Sequence, residues 1–355
     1  MTEFSKLREF YNGKKVFVTG HTGFKGSWLC MMLDMLGAEV FGYSLHKATN
    51  KVHIPSVHST FADIRDFDTL EQAYISAKPD VVFHLAAQPI VRESYRAPRY
   101  TYETNVLGTV NILECLRLHP GAVSFLNVTT DKVYENNELK NHGFKEDEKL
   151  DGYDPYSNSK SCSELVTHSY KKSFFSEKDS PAISTARAGN VIGGGDFACD
   201  RIVPDCVRAT VRGESISVRN PYSTRPYQHV LEPLYAYLLI AMKQAEDKKY
   251  ADYYNIGPGD EDCITTGQLT DCFVKYWGDG ANWKNMAEAN APHEAEVLKL
   301  DCSKARDVLG WEPVWHVSEA IENTVKWYKA WNEGDNMPEY TRQQVREFFS
   351  YKGEL

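Results

Sequence analysis

Residues 15–29 read KVFVTGHTGFKGSWL, and this stretch decides the fold. It opens with an apolar, β-branched run that predicts a buried strand, and it continues into FKGSWLCMMLDML, whose apolar spacing predicts a helix. Gly20, Gly23 and Gly26 lie between the two elements in the spacing G-x-x-G-x-x-G. Glycine allows a tight turn and lets the backbone approach a pyrophosphate, whose charge the helix N-terminus stabilises. We therefore predict a dinucleotide-binding turn; the strand before it and the helix after it disfavour an ordinary glycine-rich connection.

The first half of the chain repeats this alternation of strand and helix. Continuous apolar runs such as DVVFHLAA (80–87) and VSFLNVTT (123–130) are separated by segments of helical spacing such as TYETNVLGTVNILECLRL (101–118). Strands that are apolar throughout are typical of a parallel sheet covered by helices on both faces. We therefore predict an α/β fold, a doubly wound parallel sheet of the Rossmann type, with a dinucleotide-binding domain over residues 1–190.

After about residue 190 the sequence contains more glycine, proline and charge. Examples are GNVIGGGDFACDRIVPDC (189–206) and NIGPGDEDCITTGQL (255–269). Such residues interrupt helices and strands and are typical of loops that shape a pocket. We expect residues 191–355 to form mainly a smaller substrate-binding domain, interleaved with elements around 225–255 that return to the sheet.

Composition narrows the class of protein. The chain has 355 residues, of which 42% are hydrophobic, enough for a substantial core. Its net charge of −9 argues against general nucleic-acid or anionic-membrane binding, which needs clustered lysine and arginine. The eight cysteines are scattered without a C-x-x-C pair, so we expect reduced thiols and no metal site. The charged N-terminus and the absence of an apolar run of about 18 residues predict a cytoplasmic protein without signal peptide or membrane span.

The end of the second predicted strand, EVFGYSLHK (39–47), departs from the usual dinucleotide pattern. An acidic residue about 20 positions after the turn normally binds the adenine ribose and selects NAD. Here Ser44 takes that place, with His46 and Lys47 following. A serine hydroxyl can hydrogen-bond a ribose, whereas Lys47 could bind a 2′-phosphate, so this feature leaves NAD and NADP both open.

Tyr156 and Lys160 stand four residues apart in YSNSKSCSELVTHSYKK (156–172), a segment of helical spacing. This separation places both side chains on one helix face. A lysine ammonium beside a phenol favours the phenolate, which lowers the pKa of the tyrosine and makes it a base near neutral pH. Alone the pair would fit a solvated helix face, but downstream of a dinucleotide-binding turn it predicts a catalytic pair.

Several of these segments together resemble the extended short-chain dehydrogenase/reductase family. They are TGHTGFKG (19–26), DIRD (63–66), HLAAQ (84–88), ETNVLGT (103–109), YSNSK (156–160), RAGNVIGGGD (187–196), TRPYQHV (224–230) and SKARDVLGW (303–311). The match covers most of the chain. Within the family the sequence is most similar to the nucleotide-sugar 4,6-dehydratases, and GHTGFKGSWL (20–29) and TTDKVY (129–134) resemble the branch that acts on CDP-glucose.

The resemblance implies a reaction without net redox change. NAD would act as a retained cofactor that takes hydride from C4 of the hexose and returns it to C6, after water is lost across C5 and C6. The product would be a 4-keto-6-deoxy sugar nucleotide, for deoxysugar and surface-polysaccharide biosynthesis. The catalytic residues that the resemblance implies are Thr130, Asp131, Lys132, Tyr156 and Lys160.

Lys132 is where this sequence departs from the dehydratases of dTDP-glucose. They carry Thr-Asp-Glu, with the aspartate as acid and the glutamate as base, whereas the CDP-glucose branch carries Thr-Asp-Lys, as here at Thr130, Asp131 and Lys132. Our hypothesis is that Asp131 protonates the departing C6 oxygen and Lys132 handles the C5 proton. The alternatives are that Lys132 stabilises the enolate as a cation, or that the two residues form only a surface ion pair.

The resemblance also implies ligands for the cofactor and the substrate. The expected cofactor contacts are Gly20, Gly23, Phe24, Lys25, Gly26, Ser44, Asp63, Ile64, Ala86, Ala87, Thr104, Tyr156, Lys160 and Val191. The expected substrate contacts are Gln88, Thr130, Asn190, Arg208, Arg225 and His293, with Arg225 suited to grip a diphosphate. The expected partner is a nucleotide sugar, CDP-glucose, and the expected assembly is a homodimer or homotetramer.

Three other functions compete with dehydration. A sugar-nucleotide 4-epimerase shares the glycine turn and the Tyr–Lys pair but has no use for an acid and a base at Asp131 and Lys132. An NADP-dependent reductase would consume reduced cofactor. A binding protein on the same fold would have no reason to keep these catalytic residues together. Dehydration therefore ranks first, epimerisation second and a binding protein third, and a dehydratase for another nucleotide-glucose is the alternative within the first class.

Overall fold

Seven parallel strands form the central sheet of the computed structural model, which describes residues 3–48, 52, 54–136, 142–287 and 298–351. Further strands within these ranges form three small two-stranded sheets. In chain order, the strands of all these sheets are β1 (Lys15–Thr19), β2 (Glu39–Ser44), β3 (His58–Phe61), β4 (Val81–His84), β5 (Ser124–Thr129), β6 (Ala182–Ala188), β7 (Val191–Ile192), β8 (Ile216–Val218), β9 (Thr224–Pro226), β10 (Gln228–His229), β11 (Tyr253–Ile256), β12 (Cys263–Thr265) and β13 (Trp283–Asn285). The sheet order is β3-β2-β1-β4-β5-β6-β11, with every neighbouring pair parallel. This is the doubly wound order, and the predicted α/β class is confirmed.

Helices cover both faces of the sheet. They are α1 (Glu3–Tyr11), α2 (Phe24–Met35), α3 (Phe67–Ala77), α4 (Val91–Arg96), α5 (Pro98–Tyr102), α6 (Gly108–Leu118), α7 (Pro155–Phe174), α8 (Ile202–Val211), α9 (Leu231–Glu246), α10 (Thr266–Trp277), α11 (Ser303–Leu309), α12 (Val317–Glu333) and α13 (Met337–Tyr351). Helices α2 and α9 pack on one face, with α1 and α13 outside them, and α3, α6 and α7 pack on the other. Within the described ranges no helix combines the length and apolar character needed to cross a bilayer.

The strands of the sheet centre are buried on both sides. In β1, Val16 and Val18 join the core under α2 and α9, while Phe17 joins the core under α3 and α6. Every residue of β4, β5 and β6 is buried. The continuous apolar runs of the sequence therefore reflect two-sided burial, as parallel sheets require.

The chain returns to the sheet after residue 190. Helix α9 packs on β5 and β6, and β11 pairs with β6 in the register Tyr254 to Ala186. The rest of this region forms small two-stranded sheets, β7 with β10, β9 with β12 and β8 with β13. The elements are thus interleaved along the chain, and the division into residues 1–190 and 191–355 stays a prediction.

Gly194 lies between Trp28 of α2 and Trp327 of α12, so a substitution there tests how tightly these helices pack. A Cβ atom on Gly194 would lie 2.0 Å from Cγ of the buried Trp327, and the Gly194 carbonyl accepts a hydrogen bond from Trp28 Nε1 at 2.8 Å. We expect Gly194→Ala to lower the free energy of unfolding by about 1–3 kcal/mol, because the added methyl overpacks the core. Urea denaturation measures this value. Gly257→Ala is the control, since its Cβ would meet Cys302 Sγ only at 3.4 Å; equal losses in both variants would contradict the prediction.

Candidate active site

The carboxyl ends of the central strands open into one cavity of about 880 Å³. It lies where the strand order reverses, between β1 and β4, the place where doubly wound sheets bind ligands. Residues that follow β1, β2, β4, β5, β6 and β8 all line it. The topology of the sheet therefore collects segments that are far apart in the sequence.

The glycine turn lies at this edge, and two of its glycines leave no room for a side chain. Gly20 has a φ of +74°, and a Cβ on it would lie 2.8 Å from Ala86 N. A Cβ on Gly26 would lie 2.1 Å from the Gly20 carbonyl oxygen. Gly23 is the N-cap of α2, so the N-terminus of this helix meets the cavity. A phosphate can approach the backbone here, and the helix N-terminus favours its charge.

A second observation fits a dinucleotide. Thr104 lies in a π-helical turn, Glu103–Leu107, and is buried at the cavity wall. Its Oγ1 finds no hydrogen-bond partner among the residues that the structure describes. Single π-turns are frequent at functional sites, and an unpaired buried hydroxyl calls for a ligand.

The end of β2 shows what replaces the missing acidic residue. Ser44 Oγ accepts a hydrogen bond from the Thr22 amide at 3.2 Å, and Thr22 Oγ1 donates to the His46 carbonyl at 2.8 Å. Nearby, the hydrogen bond from Arg65 lowers the pKa of Asp63, and the two side chains form an ion pair at 2.7 Å. Ser44, Lys47 and Asp63 all line the cavity.

The acid and base that follow β5 lie in a single 3-10 turn, Asp131–Val133. Thr130 Oγ1 donates to Asp131 Oδ1 at 2.9 Å, and Asp131 is only 1% exposed. Its other oxygen, Oδ2, has no partner within the described part of the chain. The carboxylate is pressed against Gly189, where a Cβ would lie 1.8 Å from Oδ2. Thr130, Asp131 and Lys132 all line the cavity.

Helix α7 brings the Tyr–Lys pair to the same wall. Asp154 caps the helix by accepting a hydrogen bond from the Ser157 amide at 3.0 Å, so Tyr156 lies in the first turn. One turn later, Lys160 Nζ donates to the Val128 carbonyl at 3.1 Å. Burial lowers the pKa of Lys160 to about 8. The pair therefore lies on one helix face beside β5, as its spacing predicts.

The prediction that the pKa of Tyr156 falls towards neutral is wrong for the chain by itself. Burial raises the pKa of Tyr156 to about 12, and a hydrogen bond with Thr130 and the charge of Arg201 only partly oppose this effect. The reason is that a water-poor wall penalises the phenolate. Arg201 was not singled out by any motif; it lines the cavity and forms an ion pair with Asp196 at 2.8 Å.

The charges of Asp131 and Lys160 both reach Lys25 on the glycine turn. Its pKa is lowered to about 7, first by burial and then by the charge of Arg201, while Asp131 raises it and Lys160 lowers it further. Its Nζ donates to Tyr237 Oη at 3.4 Å. The turn thus contributes a titratable cation as well as backbone amides to the cavity.

Most of the predicted ligands are brought together. The cavity wall includes the predicted cofactor residues Gly20, Gly23, Phe24, Lys25, Gly26, Ser44, Asp63, Ile64, Ala86, Ala87, Thr104, Tyr156, Lys160 and Val191. Of the predicted substrate residues it includes Thr130, Asn190 and Arg225. Arg225 is buried on β9, and Asn190 has a φ of +32°, an unusual backbone for a residue with a side chain.

Three predicted substrate residues are not among this lining. Gln88 is buried, and its side chain hydrogen-bonds within the protein, with Nε2 donating to Thr101 Oγ1 at 2.9 Å. Arg208 pairs with Asp205 and donates to the Phe197 carbonyl at 3.2 Å, one turn along α8 from the cavity. His293 lies outside the described residues. A motif match gives a position in sequence but not the direction of a side chain, and the substrate roles of these three residues remain predictions.

A doubly wound sheet with a glycine turn at its switch point and a Tyr–Lys pair on a later helix defines the class of extended short-chain dehydrogenase/reductases. Residues 17–324 match the family model described as GDP-mannose 4,6 dehydratase. The chain belongs to this family.

Individual relatives narrow the comparison. The chain is 45% identical to a CDP-glucose 4,6-dehydratase of Salmonella typhimurium, over 97% of its own length and 98% of that protein. It is 30% identical to a dTDP-glucose 4,6-dehydratase of Streptomyces antibioticus, over 79% of each chain. Among solved structures it is similar to a UDP-glucose 4-epimerase of Thermotoga maritima, with a TM-score of 0.77, 25% identity and coverage of 88% of this chain and 98% of that one.

The buried charge of Lys160 predicts a pH dependence of stability. Its pKa in the folded chain, about 8, lies below the ordinary value, so the unfolded chain binds more protons at alkaline pH and stability rises with pH there. We expect the unfolding free energy of the wild type, relative to Lys160→Met, to rise by about 2 kcal/mol between about pH 8 and 10. Urea denaturation at several pH values measures the difference. A difference that does not change with pH would mean that Lys160 is solvated.

Proposed function

We propose that the protein is a dehydratase that converts CDP-glucose into CDP-4-keto-6-deoxyglucose, with NAD as a retained cofactor. One observation carries the proposal: an acid, a base and a threonine in the 3-10 turn after β5 lie in the same cavity as the Tyr–Lys pair and the glycine turn. Membership of the family and the 45% identity to a CDP-glucose 4,6-dehydratase support it.

Tyr156 and Thr130 act at C4 of the hexose. When bound, NAD would supply a hydride acceptor at C4 and a hydride donor at C6. Tyr156 takes the proton of the C4 hydroxyl, and Thr130, which already shares a hydrogen bond with Tyr156, holds the C4 oxygen. Lys160, one helical turn away, is a cation below about pH 8, and a cation near a phenol favours the phenolate.

Asp131 and Lys132 act at C5 and C6. A ketone at C4 acidifies the C5 hydrogen, because the resulting negative charge spreads onto the C4 oxygen. Lys132 takes this proton, and Asp131 gives a proton to the C6 oxygen, which leaves as water. Lys132 would return a proton, exchangeable with solvent, to C5 when hydride reaches C6. Burial and close packing against Gly189 hold the Asp131 carboxyl in place for this transfer.

The nucleotide extends from the hexose towards Arg225. Arg225, buried on β9, is suited to the diphosphate, because a guanidinium can donate two parallel hydrogen bonds. Asn190, which follows β6, lines the same cavity. The choice of cytosine rests on the relative from Salmonella typhimurium, and other nucleotide-glucoses are the alternative.

We also propose that the chain pairs with copies of itself in the cytoplasm. Apolar side chains are exposed on two neighbouring helical segments, Tyr102 and Leu107 on one, Leu165 and Phe174 on α7. Burying them between two copies would form a homodimer, and a homotetramer would need a second contact. The described cysteines are free thiols, which suits a reducing compartment.

The substrate test compares CDP-glucose, dTDP-glucose and UDP-glucose under identical conditions. We expect the alkali-induced absorbance of a 4-keto sugar to appear fastest with CDP-glucose, without net formation of NADH. Interconversion of epimers without that absorbance would contradict dehydration. Faster reaction with another nucleotide would contradict only the choice of cytosine.

The base role of Lys132 is tested by exchange of the C5 hydrogen in D₂O. We expect Lys132→Met to reduce deuterium incorporation at C5 by about two orders of magnitude, in line with the loss of a positioned base. NMR or mass spectrometry of the product reads the exchange. Lys149→Met is the matched control, because Lys149 is exposed and pairs with Glu135 at 2.7 Å. Unchanged exchange in the Lys132 variant would remove it as the base.

A further inference from the structure

We propose that Glu164 is a positioning residue of the active site, which fixes the end of β5 against α7 and supplies the negative charge next to Lys160. The proposal rests on the proposed function, because it takes Tyr156 and Lys160 as the reacting groups. No motif of the sequence singles out Glu164, which lies inside the helix beyond the Tyr–Lys pair.

Glu164 continues a line of side chains along α7. Tyr156, Lys160, Glu164 and His168 follow one another at intervals of four residues, so they share the helix face that packs on β5 and β6. The Glu164 side chain is 0% exposed. A fully buried carboxylate is rare unless it is paired, so its contacts reveal its role.

The carboxylate joins three elements. Its Oε1 accepts hydrogen bonds from Thr129 Oγ1 on β5 at 2.5 Å and from Arg187 Nε on β6 at 3.1 Å. Its Oε2 accepts from Thr185 Oγ1 at 2.7 Å and from Arg187 Nη2 at 3.0 Å, and lies 3.1 Å from His168 Nε2. Both oxygens are therefore saturated by groups on the two strands beneath the helix and by one neighbour on the helix itself.

The bond to Thr129 lies between two bonds made by reacting groups. Three successive residues of β5 and its end contact α7: Val128 accepts from Lys160, Thr129 donates to Glu164, and Thr130 bonds Tyr156. The outer two contacts involve groups that bind the cofactor or move a proton during the reaction. Of these three contacts, the one with Glu164 is the one that can stay unchanged throughout, so it holds the end of β5 nearest the cavity in register with α7.

Charge gives Glu164 a second effect. Burial raises the pKa of Glu164, but the Arg187 charge and the hydrogen bonds outweigh it and bring the pKa to about 2, so the carboxylate stays ionised at every working pH. Its charge raises the pKa of Lys160 against the larger effect of burial. Arg187 is committed elsewhere as well, with Nη1 donating to Tyr134 Oη at 2.7 Å.

Among the residues that the structure describes, Glu164 is the anion whose charge raises the pKa of Lys160. On β4, burial lowers the pKa of His84 to about 3, so it is neutral. On α2, Lys25 is a second cation that opposes the charge of Lys160. On the far side of Glu164, His168 stacks on Tyr253 at 3.7 Å between ring centroids. Removing the Glu164 charge should therefore favour neutral Lys160.

The positioning role is tested with Thr129→Val, which keeps the shape of the residue and removes its hydrogen bond to Glu164. We expect kcat with CDP-glucose to fall about tenfold and KM to change less than about twofold, because misplacement of reacting groups affects turnover more than binding. Thr129→Ser keeps the hydroxyl and should restore most of kcat. Thr167→Val is the matched control, since it removes the hydrogen bond from Asn127 Nδ2 at 2.9 Å between the same strand and helix, farther from the cavity.

The charge effect is tested by the pH dependence of kcat in Glu164→Gln. We expect the alkaline limb of the profile, which Lys160 sets, to move to lower pH by about one unit. An unmoved limb would overturn the charge effect, and an unchanged kcat in Thr129→Val, or an equal fall in Thr167→Val, would overturn the positioning role. If Glu164→Gln does not fold, the kcat values of Thr129→Val, Thr129→Ser and Thr167→Val decide whether Glu164 is a positioning residue. A wild-type protein that turns over no nucleotide-hexose would overturn the proposed function instead.

Discussion

The parallel pairing of the central strands is the constraint on which the rest of the structure depends. Because all seven strands run the same way, their carboxyl ends meet at one edge, and the order reverses between β1 and β4. The glycine turn after β1, the 3-10 turn after β5 and the wall beyond β6 are thereby brought to one cavity. The helices that make parallel pairing possible also carry chemistry, since α7 is both a cover of the sheet and the carrier of Tyr156 and Lys160.

Much of this arrangement could be predicted from residue patterns with a direct physical meaning. Continuous apolar runs indicate strands buried on both faces, and β4, β5 and β6 are buried throughout. The spacing of Gly20, Gly23 and Gly26 between a strand and a helix predicts the turn, and in the structure a Cβ on Gly20 or Gly26 would clash with the backbone. The separation of Tyr156 from Lys160 by one helical turn fixes their shared face. Each of these features depends on neighbours in sequence or on a single close approach.

Other features depend on contacts that no sequence pattern records. The pKa of Tyr156 rises rather than falls, because burial is a property of the whole wall and not of the Tyr–Lys spacing. Gln88 and Arg208 lie in matching segments, yet their side chains bind Thr101 and Asp205. Arg201 and Glu164 carry no motif and act through tertiary contacts, one by its charge across the cavity and the other by linking β5 and β6 to α7.

The contact between Asp131 and Gly189 has a consequence for how sequences of this kind can diverge. The carboxylate occupies the volume that any side chain at position 189 would need, since a Cβ there would lie 1.8 Å from Asp131 Oδ2. The two positions are therefore not free to change independently. A lineage that loses the acid at 131 gains room at 189, and a bulky residue acquired there would block the return of the acid. Divergence between dehydration and a reaction that needs no acid at position 131 would then require substitutions at both positions. A bulky side chain at position 189 would sterically oppose the reverse change.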